Sequence, residues 1–273
     1  MKTIKIAFYG KGGIGKSTLA TNVAALLASK GLRVLHIGCD PKADSTRLLT
    51  ERRLPTVLQQ LDALDEIKRE DLLFTGKCGV TCVETGGPEA GTGCAGLGIT
   101  AAMDELTRLG VFDEAWDYII YDVLGDVVCG GFSVPMRQHY VDKVFVVVAP
   151  NYMSIYAANN ILKGVARYSQ EQNLCGGLIA NHLQNNKEKA LLKAYAEAVN
   201  VQICLEIAED LHLQKADFKR QLFALEGEEN TNRKSLQQFV EGWLKGGQCV
   251  IPTPFSADEL EAFGQLMAEN LYE

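Results

Sequence analysis

The sequence has no excess of positive charge. Lys plus Arg is 27 and Asp plus Glu is 34, for a formal net charge of -7. This argues against a general nucleic-acid binder, which usually carries a basic stripe, but it leaves room for a small local basic patch. No apolar run reaches the ~18 residues needed to span a bilayer. No basic segment, apolar core and cleavage site precede the first strand-like segment, so no secretory leader is expected and the default location is the cytoplasm. In that compartment the eight cysteines are not expected to form disulfides. Linkers, internal repeats and low-complexity tracts are also missing, and 273 residues with 47% hydrophobic content suit one large α/β domain spanning residues 1–273.

Apolar runs alternate with helical patterns. Strands are expected at Ile4–Tyr9, Arg33–Ile37, Tyr118–Tyr121, Val144–Ala149, Gly177–Ala180 and Val201–Ile207, and helices at Thr18–Ser29, Tyr156–Ser169 and Lys187–Val199. Ser256 followed by Glu259 reads as a capping box opening a last helix. This order implies a mostly parallel β-sheet flanked by helices on both faces. The glycine-rich stretch Gly76–Gly98 is expected to be the one long irregular region.

Gly10-Lys11-Gly12-Gly13-Ile14-Gly15-Lys16-Ser17 lies between a strand pattern and a helix pattern. It matches a phosphate-binding loop, and so implies a phosphate-loop NTPase fold. Its amides converge on an anion at a helix N-terminus, Lys16 reaches the β- and γ-phosphates, and the Ser17 hydroxyl holds Mg²⁺. Asp40 and Asp44 follow the second strand in GCDPKADS. Asp122 ends the third in YIIYD, and Asp126 follows in VLGD. Carboxylates at the C-terminal ends of parallel strands beside such a loop can hold Mg²⁺ or its water shell and can orient the attacking water.

Cys175 and Cys204 lie beside or within strand patterns and read as structural. Cys94 in GTGCAGLG and Cys129 in DVVCGGF are flanked by glycines, which allow amides to approach a sulfur, as an iron–sulfur cluster requires. Two ligand sets are compatible with the sequence. Cys78, Cys82, Cys94 and Cys129 of one chain could hold a cluster, or Cys94 and Cys129 from each of two chains could share one on a two-fold axis.

GKGGIGKS, GCDPKADSTRLL, CVETGGPEAGTGCAGLG, YDVLGDVVCGGF and YAANNI together resemble the nitrogenase iron protein (dinitrogenase reductase) family, which includes ATP-dependent reductases of chlorophyll and coenzyme F430 biosynthesis. The likeness runs over essentially the whole chain. It implies a homodimeric phosphate-loop protein that hydrolyses MgATP to MgADP and passes single electrons from one bridging [4Fe-4S] cluster to a nitrogenase or nitrogenase-like catalytic component. A ferredoxin or flavodoxin is implied as upstream donor, with no nucleic-acid or membrane partner. By the same resemblance Cys94 and Cys129 are the cluster ligands and Cys82 is a family cysteine that is not a ligand. Lys11, Lys16, Ser17 and Thr18 serve phosphates and Mg²⁺, with Lys11 reaching across the dimer. Asp40 and Asp44 belong to a first switch, Asp122 and Asp126 to a second, and Asn181 and Asp210 to the adenine site.

Several positions depart from the family pattern. Leu97 stands where the family has an arginine beside the cluster, which serves docking and is the target of regulatory ADP-ribosylation. An arginine typical of the Asn181–Leu183 segment is missing, Pro150-Asn151 replaces a Gly-Glu pair, and the C-terminal tail is short. Two other classes share part of this pattern. A partitioning-type positioning ATPase would need a basic DNA-binding face or a membrane-binding tail, and an iron–sulfur carrier ATPase would need a C-terminal Cys-x-x-Cys; neither feature is evident.

Overall fold

A computed structural model describes residues 2–87, 95–125, 133–137, 140–169, 172–227 and 229–272. The strands are β1 (Ile4–Gly10), β2 (Val34–Cys39), β3 (Phe74–Thr75), β4 (Thr81–Glu84), β5 (Tyr118–Val123), β6 (Lys143–Val148), β7 (Cys175–Leu183) and β8 (Ile203–Ala208). The helices are α1 (Lys16–Ser29), α2 (Val57–Ala63), α3 (Ala95–Arg108), α4 (Val134–Arg137), α5 (Tyr152–Tyr168), α6 (Asn186–Ala198), α7 (Leu211–Phe218), α8 (Thr231–Gln238), α9 (Leu244–Gly246) and α10 (Ala257–Tyr272). A π-helical turn at Phe239–Trp243 joins α8 to α9.

The eight strands form one sheet in the order β3-β4-β2-β5-β1-β6-β7-β8, parallel except for the β3–β4 pair. Alternation along β1 sends Ile6 and Phe8 to one face and Ala7 and Tyr9 to the other. On the first face they pack under Leu19, Val23 and Leu27 of α1 and Leu236 of α8. On the second face they share a core with Met103 of α3, Ile161 of α5 and Tyr195 of α6. Helices therefore cover both faces, as the β-α-β order implies. Among the described residues no helix is long and apolar enough to cross a membrane.

The expected elements are present with shifted ends. Helix α1 starts two residues early because Gly15 takes a left-handed conformation, φ 84°, and turns the chain directly into Lys16. Helix α5 starts at Tyr152, where the Asn151 side chain accepts the Ser154 amide at 3.0 Å. The Ser256–Glu259 capping box forms in both directions, at 2.7 and 3.3 Å. The stretch Gly76–Gly98 is not one irregular loop: it contains β4, paired with β2, and the start of α3. Four residues are too few to show a periodicity, and only the edge of β2 reveals that segment as a strand.

Candidate functional site

The C-terminal ends of β1, β2, β5 and β7 meet at the phosphate loop, where parallel α/β sheets place their ligands. Lys16 is almost wholly buried, and its ammonium pairs with the fully buried Asp122 carboxylate. Ser45 donates to the other Asp122 oxygen at 2.6 Å, and Lys16 donates to the Ser17 hydroxyl at 3.4 Å. Burial alone would push the Asp122 carboxyl up. The Lys16 charge, with hydrogen bonds from Lys16, Ser17 and Ser45, holds it below the usual carboxylate range.

The segment that follows β5 is packed onto the loop by its backbone. A Cβ on Gly125 would fall 1.6 Å from the Gly10 carbonyl oxygen, so no other residue fits there. The Leu124 amide also donates to the Cys39 carbonyl at 3.4 Å, tying the end of β5 to the end of β2. The phosphate loop, the segment after β2 and the segment after β5 are thus joined around Lys16, Ser45 and Asp122.

The other carboxylates are placed differently. Asp40 is buried and its Oδ1 accepts the Lys42 amide at 2.9 Å; burial pushes its carboxyl up, against that amide and the Lys16 charge. Asp44 is exposed and heads the short 3₁₀ turn Ser45–Leu48. Lys11 lines a separate cavity of about 320 Å³ with Gly12, Gly13, Ile14, Asn151 and Glu188. It is not drawn to Asp122.

Beside the loop lies a cavity of about 260 Å³. Gly13, Gly15, Thr18, Asn181, Asp210 and Asp217 are among its walls. Asn181 donates to the Ile14 carbonyl at 2.8 Å, locking β7 to the loop. Asp210 caps α7 by accepting the His212 amide at 2.7 Å. A glycine-walled loop at a helix N-terminus, a buried lysine and an adjoining polar-rimmed cavity fit a nucleoside triphosphate with Mg²⁺.

Cys94, Cys129 and Asp126 lie outside the described residues; α3 begins directly after Cys94. The cysteines inside the cores are poor ligands. Cys82 is fully buried, and burial pushes its thiol up to about 12. Cys175 reaches about 12 for the same reason, and Cys204 is also raised by burial. Cys82 packs in the apolar core with Leu49 and Val80, its sulfur close against Gly76, which leaves no space there for a cluster, so Cys82 does not suit the single-chain ligand set. Among the described residues no group of three or more His, Cys, Asp or Glu could hold a metal.

Sequence reasoning missed several participants. His36 is buried in the middle of β2 and its Nε2 is 2.9 Å from Ser45 Oγ; burial lowers its pKa to about 4. Glu84 at the end of β4 accepts from the Thr46 amide and hydroxyl at 2.6 and 2.7 Å, and burial raises its pKa to about 7. The signal for His36 was a single polar residue in the apolar run VLHIGC. Glu84, Ser45 and Thr46 gave no signal that distinguishes them from loop residues.

Comparisons with known proteins agree with this architecture. Residues 4–270 match the family described as 4Fe-4S iron sulfur cluster binding proteins, NifH/frxC family. The chain is 44% identical to the nitrogenase iron protein of Methanospirillum hungatei, over 94% of this chain and 93% of that protein. It is 42% identical to nitrogenase iron protein 2 of Methanothermobacter thermautotrophicus, over 95% and 96%. Among solved structures, the MinC:MinD cell division complex of Aquifex aeolicus matches with TM-score 0.68 at 19% identity, covering 88% of this chain and 94% of that one. The Pyrococcus horikoshii septum site-determining protein MinD with Mg-ADP also matches with TM-score 0.68, at 16% identity over 88% and 95%. At those identities the two structures show the shared phosphate-loop fold alone. The family's cofactors are a 4Fe-4S cluster and MgATP. On the match across nearly its whole length, this chain belongs to the NifH/frxC family of 4Fe-4S iron–sulfur cluster proteins.

Proposed function

We propose that two copies of this chain form a reductase that couples MgATP hydrolysis to single-electron delivery to a nitrogenase-like catalytic component. Cys94 and Cys129 of each copy would hold one shared [4Fe-4S] cluster, which supplies one-electron redox chemistry. A ferredoxin or flavodoxin would reload it.

In this reading the amides of Gly10–Ser17 and the Lys16 ammonium bind the β- and γ-phosphates, with Thr18 beside them. Ser17 holds Mg²⁺, and Asn181 and Asp210 face the base. Lys11 reaches the nucleotide of the other copy. Asp40, Asp44, Asp122 and Asp126 sense the terminal phosphate and position water. The observation that supports this coupling is the Lys16–Asp122 pair, on a strand whose continuation at Gly125 lies against the Gly10 backbone. A γ-phosphate competing for Lys16 frees Asp122, and the chain from Asp122 runs through Gly125 to Cys129 within seven residues. The coupling is reciprocal: if MgATP favours the docked state tenfold, about 1.4 kcal/mol, docking favours MgATP by the same factor.

Leu97, 72% exposed in the first turn of α3, supports a partner other than a conventional molybdenum nitrogenase, because a leucine cannot supply a guanidinium contact. Anaerobic purification tests the core of the proposal: a brown dimer with about four irons, reducible by one electron, is expected, and a colourless protein overturns it. Mixing with a conventional nitrogenase catalytic component tests the partner; efficient ATP-driven acetylene reduction would overturn that part alone.

A further inference from the structure

A second charged cavity lies behind the first switch. It encloses about 190 Å³, and its charged walls are Lys42, Asp44, Arg47, Arg52, Arg53 and Arg220. Five cations surround one carboxylate, in a chain whose overall charge is -7. None of the phosphate-loop residues Gly10–Ser17 lines it; of the residues proposed above to face the nucleotide it shares Asp44 alone.

The charges there are mostly uncompensated. Arg47 is paired, through its guanidinium to Asp217 at 2.5 Å. Lys42, Arg52, Arg53 and Arg220 have no ion-pair partner among the described residues. Two of the guanidinium groups are held in place without being neutralised. Arg53 donates to the Lys42 carbonyl at 2.6 Å, and Arg220 to the Glu51 carbonyl at 2.8 Å. Each of these arginines keeps further N–H donors for a ligand. Arg220 is also fixed by its own backbone, left-handed at φ 53° just past α7, with its carbonyl accepting Lys77 at 2.6 Å. Two anchored guanidinium groups, flanked by Lys42 and Arg52 and carrying unspent charge, match an oxyanion of high charge and small size.

We propose that this cavity binds a phosphate oxyanion, free or carried as a terminal phosphoryl group, and that occupation is coupled to the nucleotide site. The coupling route is short. Lys42, Asp44 and Arg47 belong to the segment that carries Asp40 and Ser45, and Arg47 grips Asp217, a wall of the nucleotide cavity. An anion that draws Arg47 toward it loosens Asp217, and an anion that braces Arg47 steadies it. Either way the two sites exchange free energy.

The test keeps the phosphate loop filled. Protein saturated with MgADP is titrated calorimetrically with inorganic phosphate, pyrophosphate and glycerol phosphate, with sodium chloride at matched ionic strength as control. One saturable site per chain is expected, absent with chloride. Tighter binding of glycerol phosphate than of phosphate identifies a carried phosphoryl group, and the reverse identifies the free oxyanion. Arg52→Ser with Arg53→Ser changes only exposed side chains, so the fold is kept. It should weaken phosphate by about tenfold per arginine. In phosphate-free, low-salt buffer the same variant should melt higher than the natural chain, because repulsion among the cations is relieved. Arg52→Lys with Arg53→Lys, which retains charge without the fork, should bind at an intermediate level. Equal phosphate affinity in the natural chain and in the Arg52→Ser, Arg53→Ser variant overturns the site. An MgADP affinity indifferent to saturating phosphate overturns the coupling.

Discussion

The two halves of the sheet are built from different materials. On the β2-β5-β4 side the strands carry His36, Asp122 and Glu84 into full burial, where His36 meets Ser45, Asp122 meets Lys16 and Ser45, and Glu84 meets Thr46. On the β6 side, Val144 to Val148 are apolar throughout, and Phe145 packs between Phe8, tilted at 5.8 Å, and Phe239, edge-on at 5.0 Å. A buried charge is costly unless it is paired and hydrogen-bonded, whereas a buried aliphatic side chain stabilises wherever it packs. The polar half therefore makes stability hostage to a few pairs, and the apolar half spreads it over many contacts. In the proposed function the same pairs are those that a γ-phosphate would rearrange, where stability is most conditional.

The contrast is broken most strongly at Lys16. Lys16→Gln should lower ATP hydrolysis at least ~10²-fold, since its charge would be lost where negative charge develops. It also leaves Asp122 buried and unpaired, which should cost about 3–5 kcal/mol in urea unfolding. Adding Asp122→Asn should restore most of that stability and none of the hydrolysis. If the double variant stays as unstable as the single one, the pair is not what balances the polar half.

Phe145→Ala sharpens the comparison from the other side. A cavity of that size should cost about 3–5 kcal/mol, while hydrolysis per folded molecule stays unchanged. A proportionate loss of turnover in the folded fraction would mean that the two halves are not separable.

Smaller effects are expected from pH. Glu84 keeps its proton up to about 7 in the folded chain against an ordinary 4.5, so its contribution is full below pH 4.5 and lost as pH rises through 7. His36 behaves oppositely. Its folded pKa of about 4 lies below the ordinary 6.5, so its contribution is full above pH 6.5 and lost as pH falls through 4. The slopes oppose each other in the natural chain. Glu84→Gln should leave stability that rises with pH from 4 to 6.5, and His36→Gln stability that falls from 4.5 to 7, each by on the order of 2 kcal/mol in thermal melts. Parallel pH profiles in the two variants would contradict this assignment.

The smallest effect on folding is expected at Leu97. Leu97→Arg should change stability by less than about 0.5 kcal/mol, because the side chain is already in solvent. Its effect should be confined to partner binding, measured as a change in docking to a conventional nitrogenase component with unchanged partner-free ATP hydrolysis.

The fold was largely legible because its strands are apolar runs and its phosphate loop has a fixed spacing. β4 and α3 were hidden, one by its length and the other by the glycines leading into it. Lys16, Ser17 and the strand-end aspartates Asp40 and Asp122 announced themselves by spacing from the loop and by strand-end position, whereas Asn181 and Asp210 came only with the family resemblance. His36, Ser45, Glu84 and Asp217 did not, since their roles depend on neighbours distant in sequence: Asp217 reaches Arg47 across 170 positions.

By itself, the sequence determined the alternating α/β order, the phosphate loop and the family, because periodicity and motif spacing are local properties of a chain. Only the tertiary structure decided which charges are spent and which are free. Lys16 is neutralised by Asp122, while Lys42, Arg52, Arg53 and Arg220 are gathered around a cavity with one carboxylate for company. Composition reports the sum of charge, and an acidic sum conceals a basic pocket; the field at a point depends on distance and burial, which folding alone sets.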